Sequence, residues 1–89
     1  MKSAGMVKAG RDLVGWSQAD LSTKSGLSLP TIQRMENPAF GPLRSSGANI
    51  EKIRTAFAAA GVTFTSDGTR ECVCYDATRL RDGEALAGE

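Results

Sequence analysis

The chain has 89 residues, of which 40% are hydrophobic, and a net charge of +1, which suits one small domain with a modest core. It contains no histidine, two cysteines and no recognisable nucleophile motif, which argues against an enzyme and against a disulfide-stabilised fold. No apolar run is long enough to cross a membrane and no apolar signal segment follows Met1, so we expect a cytoplasmic protein without membrane contact.

Positive and negative charges are distributed unevenly along the sequence. Residues 1–57 contain eight Lys and Arg against four acidic residues, a net charge of +4. Residues 58–89 contain three Arg against six acidic residues, a net charge of −3. This asymmetry is expected of a protein with a basic surface that attracts polyanions and an acidic surface on the opposite side.

The first two predicted elements are short helices. Apolar residues recur at helical spacing over residues 6–14, which predicts helix one, and residues 1–5 are expected to fray before it. Ser17 is the predicted N-cap of helix two, with Asp20 placing negative charge in the first turn. Gly26 can adopt the left-handed conformation that ends this helix.

The same start signals recur eleven residues later. Ser28 is the predicted N-cap of helix three, and Pro30 lies in its first turn, where a missing N–H costs little. Leu27 and Ile32 occupy the positions of a hydrophobic staple around this cap. Two capped helices joined by a tight glycine turn predict a helix-turn-helix.

The run GWSQADLSTKSGLSLPTIQRMEN resembles the helix-turn-helix of the Cro/repressor (XRE-type) family of bacterial and phage DNA-binding regulators. The positions that match this pattern are Gln18, Leu21, Gly26, Ser28, Thr31, Ile32, Glu36 and Asn37. Two positions depart from it, because Ser22 stands where Ala is usual and Pro30 where a polar base-reading residue is common. The resemblance implies that the chain binds double-stranded DNA as a homodimer and needs no cofactor.

A loop and a fourth helix follow. The segment PAFGPLRSSG holds two prolines and two glycines, so it is not regular helix, and we expect Phe40 and Leu43 to pack under the helices. Ser46 is the predicted N-cap of helix four, whose apolar residues recur at intervals of three and four. Gly61 is placed just beyond its end.

Residues 62–75 alternate in polarity around an Asp-Gly turn, which predicts a β-hairpin. Two registers are open. A two-residue loop would place Phe64 opposite Glu71, whereas a loop longer by one residue would place Phe64 on the same face as Cys72 and Cys74. We favour the second register, because it gives the hairpin one apolar side that buries both cysteines.

These elements predict a mainly α fold, a four-helix repressor-like helix-turn-helix domain with a short C-terminal β-hairpin. We divide the chain into the helix-turn-helix domain at residues 1–61, a hairpin extension and candidate dimerisation element at residues 62–76, and a flexible tail at residues 77–89.

Side chains near the start of helix three are the candidates for base contact, because the N-terminal part of a recognition helix enters the major groove. A planar guanidinium at Arg34 matches O6 and N7 of guanine, and the Gln33 amide matches adenine in the same way. The alternative interpretation is that Arg34 and Gln33 belong to an ordinary solvated helix face. The full set of candidates is Ser28, Leu29, Pro30, Thr31, Gln33 and Arg34.

The resemblance also implies residues that contact phosphates and a structural pair. Arg11 in helix one would pair with Glu36 near the end of helix three. Gln18 and Ser46 have a second explanation, since each also stands where a helix begins. The implied phosphate contacts are Gln18, Asn37, Arg44, Ser45 and Ser46.

The leading hypothesis is a sequence-specific DNA-binding transcriptional regulator that acts as a homodimer on a partly palindromic operator. The alternative is a protein-interaction module, such as the antitoxin of a toxin–antitoxin pair, whose acidic hairpin and tail bind a partner protein. No catalytic residue or metal site is predicted, because Cys72 and Cys74 without histidine fall short of a zinc site unless a dimer supplies four thiols. Thiol-based sensing by these two cysteines is a third hypothesis.

Overall fold

Four α-helices and a β-hairpin make up residues 1–77, the part of the chain that this computed structural model describes. A 3-10 turn at Pro42–Arg44 lies between the third and fourth helices. The mainly helical class with a C-terminal hairpin is confirmed, and the predicted tail lies outside the described residues apart from Ala77. The elements are α1 (Ala4–Val14), α2 (Gln18–Ser25), α3 (Leu29–Met35), α4 (Gly47–Ala59), β1 (Val62–Ser66) and β2 (Glu71–Tyr75).

Side-chain caps begin α2, α3 and α4 where the sequence predicts them. The Ser17 hydroxyl accepts a hydrogen bond from the Asp20 N–H (3.0 Å), and the Asp20 carboxylate accepts one from the Ser17 N–H (2.9 Å). The Ser17 N–H lowers the pKa of Asp20, because this hydrogen bond favours the charged carboxylate. The cap is therefore complete at neutral pH and weakens as the pH falls through that lowered pKa. Ser28 and Ser46 cap α3 and α4 through their hydroxyl groups alone, which accept from the N–H groups of Thr31 and Asn49.

The N-terminus is attached to the rest of the fold, so the expectation that residues 1–5 fray is wrong. Helix α1 begins at Ala4, and the Met1 side chain is buried in the core. The Lys2 N–H donates a hydrogen bond to the Glu71 carboxylate at 2.9 Å. The core buries the first side chain of this segment and the hairpin supplies the acceptor for its N–H, and the acceptor is distant in sequence.

Phe57 of α4 is the centre of the hydrophobic core and is fully buried. Its ring stacks on Trp16 with centroids 5.7 Å apart and meets Phe64 of β1 edge-on at 5.3 Å. Such aromatic pairs contribute beyond the area that they bury. One side chain thus joins the helix-turn-helix to the hairpin. The other core residues that are nearly inaccessible to solvent include Val7, Leu21, Ile32, Met35, Ile53 and Val62.

An ion pair between Arg11 of α1 and Glu36 at the end of α3 orients these helices relative to each other. Arg11 donates from Nε to Oε2 of Glu36 at 2.6 Å and from a terminal nitrogen to Oε1 at 2.8 Å. Both side chains are buried, with 10% and 6% of their surface exposed. Arg11 also donates to the Trp16 carbonyl, and the Gln18 amide donates to Glu36. The bond to Glu36 raises the pKa of Arg11.

The observed hairpin register differs from both registers that the sequence analysis considered. Phe64 pairs with Val73, across a four-residue loop that runs from Asp67 to Arg70. The Asp67 N–H donates to the Arg70 carbonyl, and the Asp67 carboxylate accepts from the Arg70 N–H, both at 3.0 Å. These bonds stabilise a loop two residues longer than the Asp-Gly pair alone predicts.

This register turns both cysteines outward, so the favoured expectation that they are buried is wrong. Cys72 and Cys74 are free and exposed, and they lie on the outer face of the hairpin. Val73 and Tyr75 occupy the inner face instead and pack against the core. Larger apolar side chains bury more surface than thiols would, which favours this arrangement.

The loop after α3 also departs from expectation. Phe40 and Leu43 are exposed, by 43% and 66%, and the side chain buried there is Pro42. The Asn37 carbonyl accepts hydrogen bonds from the Phe40 and Gly41 N–H groups, each 2.9 Å long. The resulting turn directs the Phe40 ring outward, where it lies 5.8 Å from the Arg44 guanidinium.

Replacing Gly10 by Ala should destabilise the fold, although Ala is the better helix former. A Cβ at this position in α1 would lie 3.0 Å from the Phe64 ring and 3.1 Å from the Phe57 ring. We expect the free energy of unfolding in urea to fall by about 1–3 kcal/mol, because both rings are packed in the core. The control is Gly5→Ala in the same helix, whose Cβ would meet nothing within 4 Å. That variant should gain up to about 1 kcal/mol, and equal effects at both positions would contradict this packing.

Replacing Glu36 by Gln should remove the partner of a buried charge. We expect the free energy of unfolding to fall by about 3–5 kcal/mol, because the Arg11 guanidinium stays buried without a carboxylate. The double variant Arg11→Met with Glu36→Gln should lose less than the sum of the two single variants. Asp12→Asn is the control, since its pair with Lys8 is exposed and should change stability by less than about 1 kcal/mol. Additive losses at Arg11 and Glu36 would refute the coupling.

Candidate nucleic-acid interface

The turn between α2 and α3 is short and held by hydrogen bonds. Gly26 has φ = 80°, in the left-handed region, and ends α2. The Ser22 hydroxyl donates to the Leu27 carbonyl, and the Leu27 N–H donates to the Ser25 hydroxyl. Ser22 is the position where the Cro/repressor pattern usually has Ala. Its hydroxyl therefore has a structural use here, as a brace across the turn.

Helix α3 keeps its buried side chains on one side and its candidate base-contacting side chains on the other. Ile32 and Met35 are almost completely buried, so they attach the helix to the core. Thr31 is half-buried, and its hydroxyl lies 2.9 Å from the Ser28 hydroxyl. The exposed candidates are Ser28, Leu29, Pro30, Gln33 and Arg34.

A cleft of about 360 Å³ separates α3 from the start of α4. Arg34 and Arg44 both line this cleft, so the structure brings a candidate base-contacting residue and a candidate phosphate-contacting residue to the same place. Ser45 and Ser46 line it as well, and Ser46 caps the N-terminus of α4. Two guanidinium groups beside the positive end of a helix dipole make an environment that favours anions.

Four of the five candidate phosphate-contacting residues have side chains that already make hydrogen bonds, namely Gln18, Asn37, Ser45 and Ser46. The Gln18 amide donates to the Glu36 carboxylate at 3.1 Å, and the Asn37 side-chain oxygen accepts from the Ala39 N–H at 2.9 Å. What Gln18 still offers is a backbone N–H in the first turn of α2, where such groups lack intrahelical partners. Gln18 and Asn37 thus support the shape of the motif, whatever else they contact.

Sequence reasoning overlooked Asn49 and Phe40 in this cleft. The Asn49 amide donates to the Ser45 hydroxyl at 3.0 Å, which fixes the segment before α4. The signal was available, because Asn49 stands three residues after the cap Ser46, on the same turn. Phe40 was expected to pack under the helices instead, and its irregular loop gives no signal of the outward position.

No helix within residues 1–77 is long and apolar enough to cross a membrane. Comparison with curated proteins gave no significant match to this chain. Comparison with protein families gave a match over residues 7–37 to the family described as helix-turn-helix. The matched range begins in α1 and ends just beyond α3, so it contains both helices of the motif and both partners of the Arg11–Glu36 ion pair. In residues 7–37 the chain therefore carries a helix-turn-helix of the Cro/repressor (XRE-type) family of DNA-binding regulators.

Proposed function

We propose that this DNA-binding regulator recognises a specific operator as a homodimer, with α3 of each copy in the major groove of double-stranded DNA. The observation that carries the proposal is the division of α3 into a fully buried side and an exposed side with hydrogen-bonding groups. A recognition helix must be rigid and must present side chains to base edges. The core behind Ile32 and Met35 supplies that rigidity.

Arg34 and Gln33 carry most of the base recognition in this proposal. Both are exposed, and their side chains are long enough to reach base edges from the helix surface. A guanidinium can donate two hydrogen bonds to guanine, and an amide can both donate to and accept from adenine. Leu29 and Pro30 offer only apolar contact, which suits the methyl group of thymine. Ser28 and Thr31 complete the set with hydroxyl groups.

Phosphate contacts come from the cleft beside α3 and from the helix starts. Arg44 is exposed and lines this cleft, and so does Ser46 at the start of α4, where the first N–H groups of a helix lack intrahelical partners. Asn37 and Ser45 belong to the same rim, while Gln18 contributes at the start of α2. These groups position the protein on the duplex and contribute little to the choice of sequence.

A homodimer follows from the size of the recognition element. Helix α3 has seven residues and is about 10 Å long, so it reaches only a few base pairs. Two copies on half-sites one helical turn apart supply the affinity and specificity that one copy lacks. The hairpin extension at residues 62–76 is the proposed dimerisation element, because a two-stranded sheet has open edges that can pair with a second copy.

Arg34→Ala and Arg44→Ala should weaken DNA binding in different ways. Arg34→Ala should cost about 1–3 kcal/mol at the selected operator and relax the preference at one base position. Arg44→Ala should weaken operator and random DNA by similar factors and reduce the salt dependence of binding. Titration of labelled duplexes at several salt concentrations measures both effects.

Arg54→Ala is the matched control for these variants, because it removes the same charge from an exposed position of α4 that lies outside both the cleft and the hairpin. Its affinity for both DNA classes should stay near the wild-type value. If Arg34→Ala weakened operator and random DNA alike, the assignment of α3 to the major groove would be wrong.

The spacing of half-sites tests the homodimer. The purified protein should bind a palindromic operator with two copies, and inserting about five base pairs between half-sites should weaken binding strongly, because it moves one half-site to the opposite side of the duplex. Sedimentation of the protein–DNA complex gives the number of copies. A complex with one copy that is insensitive to spacing would refute the homodimer. DNA binding only in the presence of a second protein would instead favour the protein-interaction module.

A further inference from the structure

The outer face of the hairpin carries two thiols that the DNA-binding function does not use. Cys72 and Cys74 are both exposed and free, and they occupy the two outward positions of β2. Their partners across the sheet are Thr65 and Thr63, so the face consists of four small side chains. Cysteine is one of the residue types most often buried in proteins. Two exposed cysteines side by side therefore require an explanation other than packing.

A disulfide between these two cysteines does not fit the strand. Residues two apart in a β-strand are separated by about 6.5–7 Å, and their Cα–Cβ bonds point the same way. A disulfide needs Cβ atoms about 3.5–4.5 Å apart. Cys72 and Cys74 consequently stay as two thiols on one surface unless the strand is distorted.

The surroundings of the pair favour a metal ion that needs only two ligands. The whole chain contains no histidine, and within residues 1–77 no three residues among His, Cys, Asp and Glu are grouped where they could hold a metal. One copy therefore cannot provide the four ligands of a structural zinc site. Thiolates select soft ions, among them Cu(I). Cu(I) can be held by two sulfur ligands in a linear arrangement.

The spacing of the thiols is compatible with such an ion. Side chains in a strand lean along the strand direction and have two common rotamers, so the two sulfurs can approach each other when the two cysteines adopt different rotamers. Zinc–sulfur bonds are about 2.3 Å long, and two copper–sulfur bonds of similar length in line would span roughly 4.6 Å. That separation is shorter than the distance between the Cβ atoms and longer than a disulfide, so it suits thiols held two residues apart on a rigid strand.

We propose that Cys72 and Cys74 form a Cu(I) site on the outer face of the hairpin. Each thiol releases its proton to solvent, and two sulfur–copper bonds form without any change in oxidation state. Thr63 and Thr65 leave the face open to the ion because their side chains are small. The site lies on the side of the sheet opposite Val73 and Tyr75, and its existence does not depend on the proposed DNA contacts.

Competition between the protein and a coloured Cu(I) chelator tests this proposal. The reduced full-length chain, titrated without oxygen, should bind one Cu(I) per chain. Cys72→Ser and Cys74→Ser should each weaken binding by about 100-fold or more, because a second tethered ligand contributes a factor of that size. Circular dichroism and thermal unfolding of both variants should match the wild type, since both side chains are exposed.

Met6→Leu is the control, because it removes a different soft sulfur ligand from a partly buried position. Its Cu(I) affinity should equal that of the wild type. Wild-type affinity in either cysteine variant would overturn the proposal, because it would show that the pair is not the ligand set. A ratio of one ion to two chains would also overturn it, since four thiols from two copies would then hold the ion.

Discussion

The ion pair between Arg11 and Glu36 determines how α3 is presented to its surroundings. It joins the last turn of α1 to the C-cap residue of α3, and the Gln18 amide at the start of α2 donates to the same carboxylate. Burying two charges costs desolvation energy that their attraction only partly offsets, so such a pair is poor at raising net stability. The ion pair instead determines the orientation of α3. The apolar contacts of Ile32 and Met35 hold α3 to the core, while the fixed geometry of the guanidinium and carboxylate sets its orientation.

The hairpin and the helices depend on one another through the core. A two-stranded hairpin alone is marginal in water. Here β1 contributes Val62 and Phe64 to the same cluster that contains Phe57 of α4, and Gly10 leaves α1 room to approach both rings. An extension that looks separable in the sequence is therefore part of the hydrophobic core of the helix-turn-helix. Any change that loosens the hairpin should also loosen the packing of α1.

The starts of α2, α3 and α4 and the end of α2 could be predicted from the sequence, because the signals that set them are local. Ser17, Ser28 and Ser46 cap helices through bonds to residues three positions away, and Gly26 ends α2 by its own backbone conformation. The hairpin register could not be predicted in this way. It depends on the bonds between Asp67 and Arg70 and on which face the core accepts, and the second condition is set by distant residues.

The candidate interface also contains features that the sequence predicts and features that it does not. Exposure of Arg34 and Gln33 follows from helical periodicity once α3 is located, so these residues were within reach of the sequence. The sequence could not predict that Arg34 and Arg44 line the same cleft, because this depends on the 3-10 turn at Pro42–Arg44. The outward position of Phe40 depends on the same irregular segment, for which a sequence offers no periodicity to read.

The position of Trp16 gives the protein a built-in optical reporter. It is the single tryptophan of the chain, and its half-buried indole lies against Phe57 and within 5.5 Å of the Lys24 ammonium. The ring thus touches both α2 and α4, across the joint between the DNA-binding motif and the helix that carries the hairpin. Its fluorescence emission should shift when that joint opens, so the coupling of the two parts can be followed in the unlabelled protein.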